Sequence, residues 1–157
     1  NNNIKRIQGI IERLCSNLGE KKKDYFAFPT CEALASQNEE FYKTCGAGYR
    51  AAYLVATSNF LNKSFDYDNY FNLPTDIARK KLLSLKGVGG KVADCILLFG
   101  INDFNVFPVD TWIEKVYYDI FPKEKINREK IRKNLTDYFG NLSGYAQQYL
   151  FYYKRES

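Results

Sequence analysis

The sequence predicts an all-α fold, and two observations carry that expectation. Apolar residues recur at three- and four-residue spacing through most of the 157 residues, and no alternation of apolar with polar residues survives beyond a few positions. With 45% hydrophobic residues the chain is long and apolar enough to bury a core without disulfides or a metal, as a single helical region spanning 1–157.

The elements follow in order. Ile4, Ile7, Ile10, Ile11, Leu14 and Leu18 mark the apolar face of a first helix, with Asn3 placed to cap it. Thr30, after Pro29, is positioned to start a short second helix, and Glu39–Cys45 reads as a third. The turn Gly46-Ala47-Gly48 leads into a longer helix over Tyr49–Leu61. Asn62–Leu73, rich in Asn, Asp and aromatics and without a clear period, reads as a connection. Thr75 then caps a helix over Asp76–Leu85, whose Ile77, Ala78, Leu82 and Leu85 share a face. A glycine-rich turn follows and opens another helix at Lys91, so that the two helices and the turn span about 76–99. Pro108 closes a loop, Asp110 stands in a cap position before Thr111–Ile120, and Asn127–Phe139 and Ser143–Tyr153 complete the set. No internal repeat or low-complexity tract interrupts the pattern.

Composition narrows the chemistry. Lys and Arg number 23 against 18 Asp and Glu, a net charge of +5, which favours phosphate-rich partners without demanding them. The absence of histidine excludes Ser-His-Asp and Cys-His catalysis and histidine-based zinc sites within this chain, so a general base must be a carboxylate or an amine. Cys15, Cys31, Cys45 and Cys95 form no C-x-x-C pair, so no metal and no cofactor are expected, and the cysteines read as free, reduced thiols. With no signal peptide and no apolar run of membrane-spanning length, the expected setting is intracellular: cytoplasm and nucleoid in a bacterium, nucleus in a eukaryote. The chain opens at Asn1 with no methionine, as a piece of a longer protein would. The basic positions Lys21-Lys22-Lys23 and Arg128, Lys130, Arg132 and Lys133 read most simply as solvated faces.

The turn Leu85-Lys86-Gly87-Val88-Gly89-Gly90-Lys91 has three glycines around one apolar residue. Glycine tolerates positive φ and close backbone approach, so Gly87, Val88, Gly89 and Gly90 could aim amides and a helix N-terminus at a phosphate. An ordinary interhelical turn, with Gly87 as a cap and Val88 as a core plug, fits those seven residues nearly as well. The longer string Leu-x-Gly-Val-Gly-Gly-Lys-Val-Ala-Asp-Cys, followed by Val109-Asp110, resembles the helix-hairpin-helix (HhH-GPD) DNA glycosylase superfamily, and within it the 8-oxoguanine branch most closely.

That resemblance covers nearly the whole chain and implies a set of roles. Lys91 would be the nucleophile that attacks the sugar, and Asp110 the catalytic carboxylate. Both suit the chemistry, because breaking an N-glycosidic bond develops positive charge at C1′ that a carboxylate stabilises and an amine can capture as a Schiff base. A lysine must be neutral to attack; the first turn of a helix in an apolar pocket would disfavour its ammonium form. Cys95, one turn beyond Lys91, would lie against an extruded base, with Gln147 on its Watson–Crick edge and Phe151 stacked on its other face. By periodicity alone, Cys95 and Phe151 would be core. Asn1 and Arg6 would read the cytosine left unpaired, and Tyr49 with Arg50 would fill the gap left by the flipped nucleotide.

The implied activity is base-excision repair by an 8-oxoguanine DNA glycosylase with an associated abasic-site β-lyase. Its partner would be double-stranded DNA carrying 8-oxoguanine opposite cytosine. The alternatives are an endonuclease III-like glycosylase for other oxidised bases, a branch with a four-cysteine iron–sulfur cluster that this chain lacks, and a non-catalytic helix-hairpin-helix module that only grips DNA backbone. Two departures stand out. The family's N-terminal, sheet-containing domain is absent from this chain, which is expected to act as a monomer or with that segment on another chain. Trp112 occupies a position where some relatives carry a phosphate-contacting histidine.

Overall fold

A computed structural model describes residues 4–64, 70 and 72–156. Regular structure among the described residues is helical apart from one isolated antiparallel bridge, Lys21 with Phe26, inside the loop after the first helix. They divide into two compact units, one made of residues 1–66 with 85–87 and the other of 67–84 with 88–157.

The first unit holds α1 (Ile4–Leu18), α2 (Cys31–Ala35), α3 (Glu39–Thr44) and α4 (Ala51–Ser64). Local chemistry sets the starts of α2 and α3: Thr30 Oγ1 accepts from the Ala33 amide and Asn38 Oδ1 from the Phe41 amide, each satisfying a donor that a helix start leaves open. The core gathers Leu14 of α1, Tyr42, Cys45, Ala47 and Ala51, with Ile10, Leu34, Phe41, Leu54 and Val55 around them. Arg13 Nε donates to the Cys45 carbonyl at 2.9 Å and so closes the end of α3 onto α1.

The second unit holds α5 (Thr75–Leu83), α6 (Gly90–Gly100), α7 (Thr111–Ile120), α8 (Arg128–Phe139) and α9 (Ser143–Glu156). Phe107, Val109, Ile113, Tyr117 and Ile131 form its buried centre, against which Leu135, Phe139, Leu150 and Phe151 pack. Gly144 lets α9 press against α6 and the loop after it: its amide donates to the Phe104 carbonyl at 2.9 Å, and a Cβ there would run into Leu98 and the Phe104 backbone.

Several boundaries differ from expectation. Tyr49 belongs to a short 3-10 turn, Gly48–Arg50, and α4 proper runs from Ala51 to Ser64, taking in the first three residues of the expected connection. Thr75 is the first residue of α5 rather than its cap; Pro74 precedes the helix with no side-chain capping bond. That helix ends at Leu83 with Ser84 as its C-cap, so Leu85 is outside it. α9 continues to Glu156, because the run Phe151-Tyr152-Tyr153-Lys154-Arg155 carries no helix breaker. The expected cap Asn3 lies outside the described residues.

Candidate active site

In the second unit α5 and α6 pack on each other across the glycine turn, which is the expected pair of helices. Gly89 stands at the N-cap of α6 with no side-chain capping bond, Gly90 is its first residue, and Lys91 its second. The enclosure expected for the amine is not there: the Lys91 side chain is exposed, because the first turn of α6 faces outward while Ala93, Asp94, Leu97 and Leu98 take the buried face. Lys91 instead borders an open cavity of about 280 Å³, together with Gly89, Gly90, Val109, Arg128 and Arg132.

Asp110 caps α7. Its Oδ1 accepts from the amides of Trp112 and Ile113, both at 2.9 Å, and these are the hydrogen bonds its side chain makes among the described residues. Cys95 lies one turn beyond Lys91 and is half-buried; burial pushes its thiol above the ordinary thiol range, against the pull of the neighbouring Lys91 amine, with the Asp94 and Asp110 carboxylates adding to the rise. Lys91 and Asp110 thus each lie near enough to Cys95 to act on its thiol.

Gln147 is buried on α9, where its amide Nε2 donates to the Pro108 carbonyl at 3.3 Å and its Oε1 accepts from Gln148 at 2.6 Å. It thus braces the loop that delivers Asp110. Phe151, one turn further on, is half-buried against the core, with the Arg155 guanidinium 5.6 Å from its ring centroid. Trp112 is half-buried, and Lys115 Nζ stands 4.7 Å from its ring. Val88 is half-buried and Gly89 exposed.

The first unit groups the residues expected at the opposite base. Arg6 is exposed and its Nη2 reaches the Gly46 carbonyl at 3.4 Å, at the turn that carries Tyr49 and Arg50. Tyr49 does not point into the core: it is 70% exposed, with the Arg50 guanidinium 4.4 Å above its ring and Tyr53 edge-on behind it. Gly87 belongs here as well. Its φ of +85° is a conformation that side chains disfavour, and a Cβ would collide with the Tyr53 ring, so the position demands glycine twice over. Asn1 lies outside the described residues.

One cluster went unread in the sequence. Asp94, 1% exposed, accepts from Arg79 Nε of α5 at 2.7 Å and from Arg132 Nε of α8 at 2.8 Å, and Arg79 Nη2 reaches Glu129 at 2.8 Å. Burial pushes the Asp94 carboxyl up against the pull of both guanidiniums; burial opposes the Arg79 cation too, but its bonds to Asp94 and Glu129 outweigh that and hold it charged. The expectation of a solvated basic face is corrected at Arg132, which is paired inside with Asp94, whereas Arg128 is exposed as expected and pairs with Glu114 at 2.7 Å at the surface. The available signal was an acidic residue in the otherwise apolar run Val92-Ala93-Asp94-Cys95-Ile96-Leu97-Leu98, where a carboxylate must find partners. Among the described residues no three potential metal ligands come together, and no helix is long and apolar enough to cross a membrane.

Comparison with known proteins adds an independent line. Residues 1–140 match the family described as "HhH-GPD superfamily base excision DNA repair protein". A protein of Methanothermobacter thermautotrophicus described as "Probable N-glycosylase/DNA lyase" is 40% identical over 73% of this chain and 37% of its own length. The N-glycosylase/DNA lyase of Saccharomyces cerevisiae is 32% identical over 96% of this chain and 51% of its own. Among solved structures, the Clostridium acetobutylicum 8-oxoguanine glycosylase/lyase in complex with double-stranded DNA containing cytosine opposite 8-oxoguanine superposes with a TM-score of 0.94 at 37% identity, covering 99% of this chain and 56% of that one. The chain therefore spans about half the length, or less, of the relatives it matches.

Proposed function

The chain belongs to the HhH-GPD superfamily of base excision DNA repair proteins, and from that premise we propose that it carries the catalytic centre of an 8-oxoguanine DNA glycosylase with abasic-site β-lyase activity. One arrangement carries the reading: the Lys91 amine borders a cavity shared with Val109, the residue before Asp110, whose carboxylate gives one oxygen to the amides of Trp112 and Ile113. The names of the relatives support the same activity, and the DNA in the Clostridium structure supports duplex with 8-oxoguanine opposite cytosine as the substrate.

The chemistry needs no cofactor. A nucleotide flips out of the duplex and its base settles against Cys95, with the Gln147 carboxamide and the Phe151 ring as the other contacts. As the bond from C1′ to the base breaks, the base leaves with the bonding pair and takes up a proton, while the Asp110 carboxylate stabilises the positive charge on the sugar. The Lys91 nitrogen forms the new C1′–N bond and gives up the proton that the departing base takes, ring opening gives a Schiff base, and loss of a C2′ proton expels the 3′ phosphate. Asn1 and Arg6 would read the opposite cytosine, Tyr49 and Arg50 would hold the gap, and amides of Gly87, Val88, Gly89 and Gly90 would take a backbone phosphate.

Lys91→Gln tests the reading directly. Excision and borohydride cross-linking should both vanish while damaged duplex is still bound, because the substitution keeps length and removes the nucleophile. Cross-linking of Lys91→Gln to abasic duplex at the parent's rate would assign the nucleophile to another amine and sink the proposal.

A further inference from the structure

The first turn of α6 lacks every usual local support. Its cap and first residue are both glycines, no side chain caps it, and its first charged residue is a lysine, a cation at the positive end of the helix dipole. Left alone, such a turn would fray. Two carboxylates meet it instead. Glu129, from the start of α8, lies against the Gly90 α-carbon so closely that a Cβ at Gly90 would overlap its carboxylate and press on Arg79. Asp94, three residues after Lys91, is buried between Arg79 and Arg132. Arg79 joins the two, with Nε on Asp94 and Nη2 on Glu129.

We propose that Arg79, Asp94, Glu129 and Arg132 form a charge-neutral clamp that fixes the Lys91-bearing turn, and that Gly90 is glycine in order to seat the Glu129 carboxylate. The clamp supplies from α8 the negative charge that the N-terminus of α6 lacks on its own chain segment. Because two carboxylates balance two guanidiniums, the cluster joins α5, α6 and α8 without net charge of its own. These four are positioning residues: none of them reacts, and each acts through the placement of Lys91. The inference rests on the reading of Lys91 as nucleophile.

A double-mutant cycle on Gly90 and Glu129 tests it, read as the single-turnover rate of borohydride cross-linking to abasic duplex at saturating DNA, with duplex Kd measured alongside. Gly90→Ala should slow cross-linking at saturating DNA about tenfold, a loss read separately from any change in Kd through the Gly90 amide, since small misplacements of a reacting group are costly. Glu129→Ala should cost less, and the double variant should react at the rate of Glu129→Ala, because removing the carboxylate removes the collision. A double variant slowed by the product of the two single effects would overturn the clamp. So would a Gly90→Ala variant that weakens Kd but reacts normally at saturation, which would make Gly90 purely a phosphate contact. If Gly90→Ala fails to fold, the double variant decides: folding and cross-linking restored support the seat, and continued failure rejects it. If the parent itself does not cross-link, the functional reading fails and the clamp is judged by hydrogen exchange of the Lys91–Cys95 amides. Exchange faster in Gly90→Ala and restored in the double variant supports the clamp, and unchanged exchange rejects it.

Discussion

In the proposed reaction Asp110 would serve two purposes with two oxygens. Oδ1 caps α7 through the Trp112 and Ile113 amides, and Oδ2 would face the developing charge on the sugar. The two can be separated. Asp110→Asn keeps an acceptor as good as aspartate at an N-cap, so the melting temperature should hardly move while excision collapses. Asp110→Ala should lose excision and also about 0.5–2 kcal/mol of stability, measured by denaturant unfolding. Equal excision by Asp110→Asn and the parent would leave the residue as a cap alone. Cys95 offers a pH test. Burial raises its thiol, and the thiolate is the reactive form, so alkylation at Cys95 should be slow at neutral pH and accelerate with a midpoint above the ordinary thiol value of about 8.5. A midpoint at or below that value would mean that the Lys91 amine outweighs burial at this site.

At the scale of elements, the turn between α5 and α6 is where local sequence and surroundings agree most closely. Gly87 is required by its positive φ and by the Tyr53 ring, Gly90 is crowded by the end of the Glu129 side chain, and nothing lies within 4 Å of a Cβ built on Gly89. Gly87→Ala should therefore destabilise the protein by about 1–3 kcal/mol, the cost of a side chain in a strained backbone region before any steric clash is counted. Gly89→Ala should be far milder in the free protein, and near-equal losses from the two substitutions in urea unfolding would refute this ordering. Helix starts were legible at Thr30 and Asp110, where a side chain caps within three residues; the caps Asn38 and Asn127 went unread, since in the sequence Asn127 reads as the first residue of its helix. The start at Thr75 was misread because a threonine before an apolar run looks like a cap, and only the backbone shows that Pro74 precedes the helix.

For the molecule as a whole, a net charge of +5 and a hairpin with open amides predict duplex binding dominated by phosphate contacts. Plotting log K against log salt for undamaged duplex should give a negative slope, each phosphate neutralised contributing about −0.9. A flat plot would exclude this mode of binding. The all-helical fold, the paired helices around the glycine turn and the cap at Asp110 were determined by the sequence itself, because periodicity and capping are expressed within a few residues of each other; the roles given to Lys91 and Asp110 rest on the resemblance. What the tertiary structure decided is everything that depends on distant partners. The exposure of Lys91, the bond from Gln147 to Pro108, the outward face of Tyr49, and the clamp joining Arg79, Asp94, Glu129 and Arg132 all follow from how helices pack. A charged residue announces that it needs a partner, but only the packed chain says which one it finds.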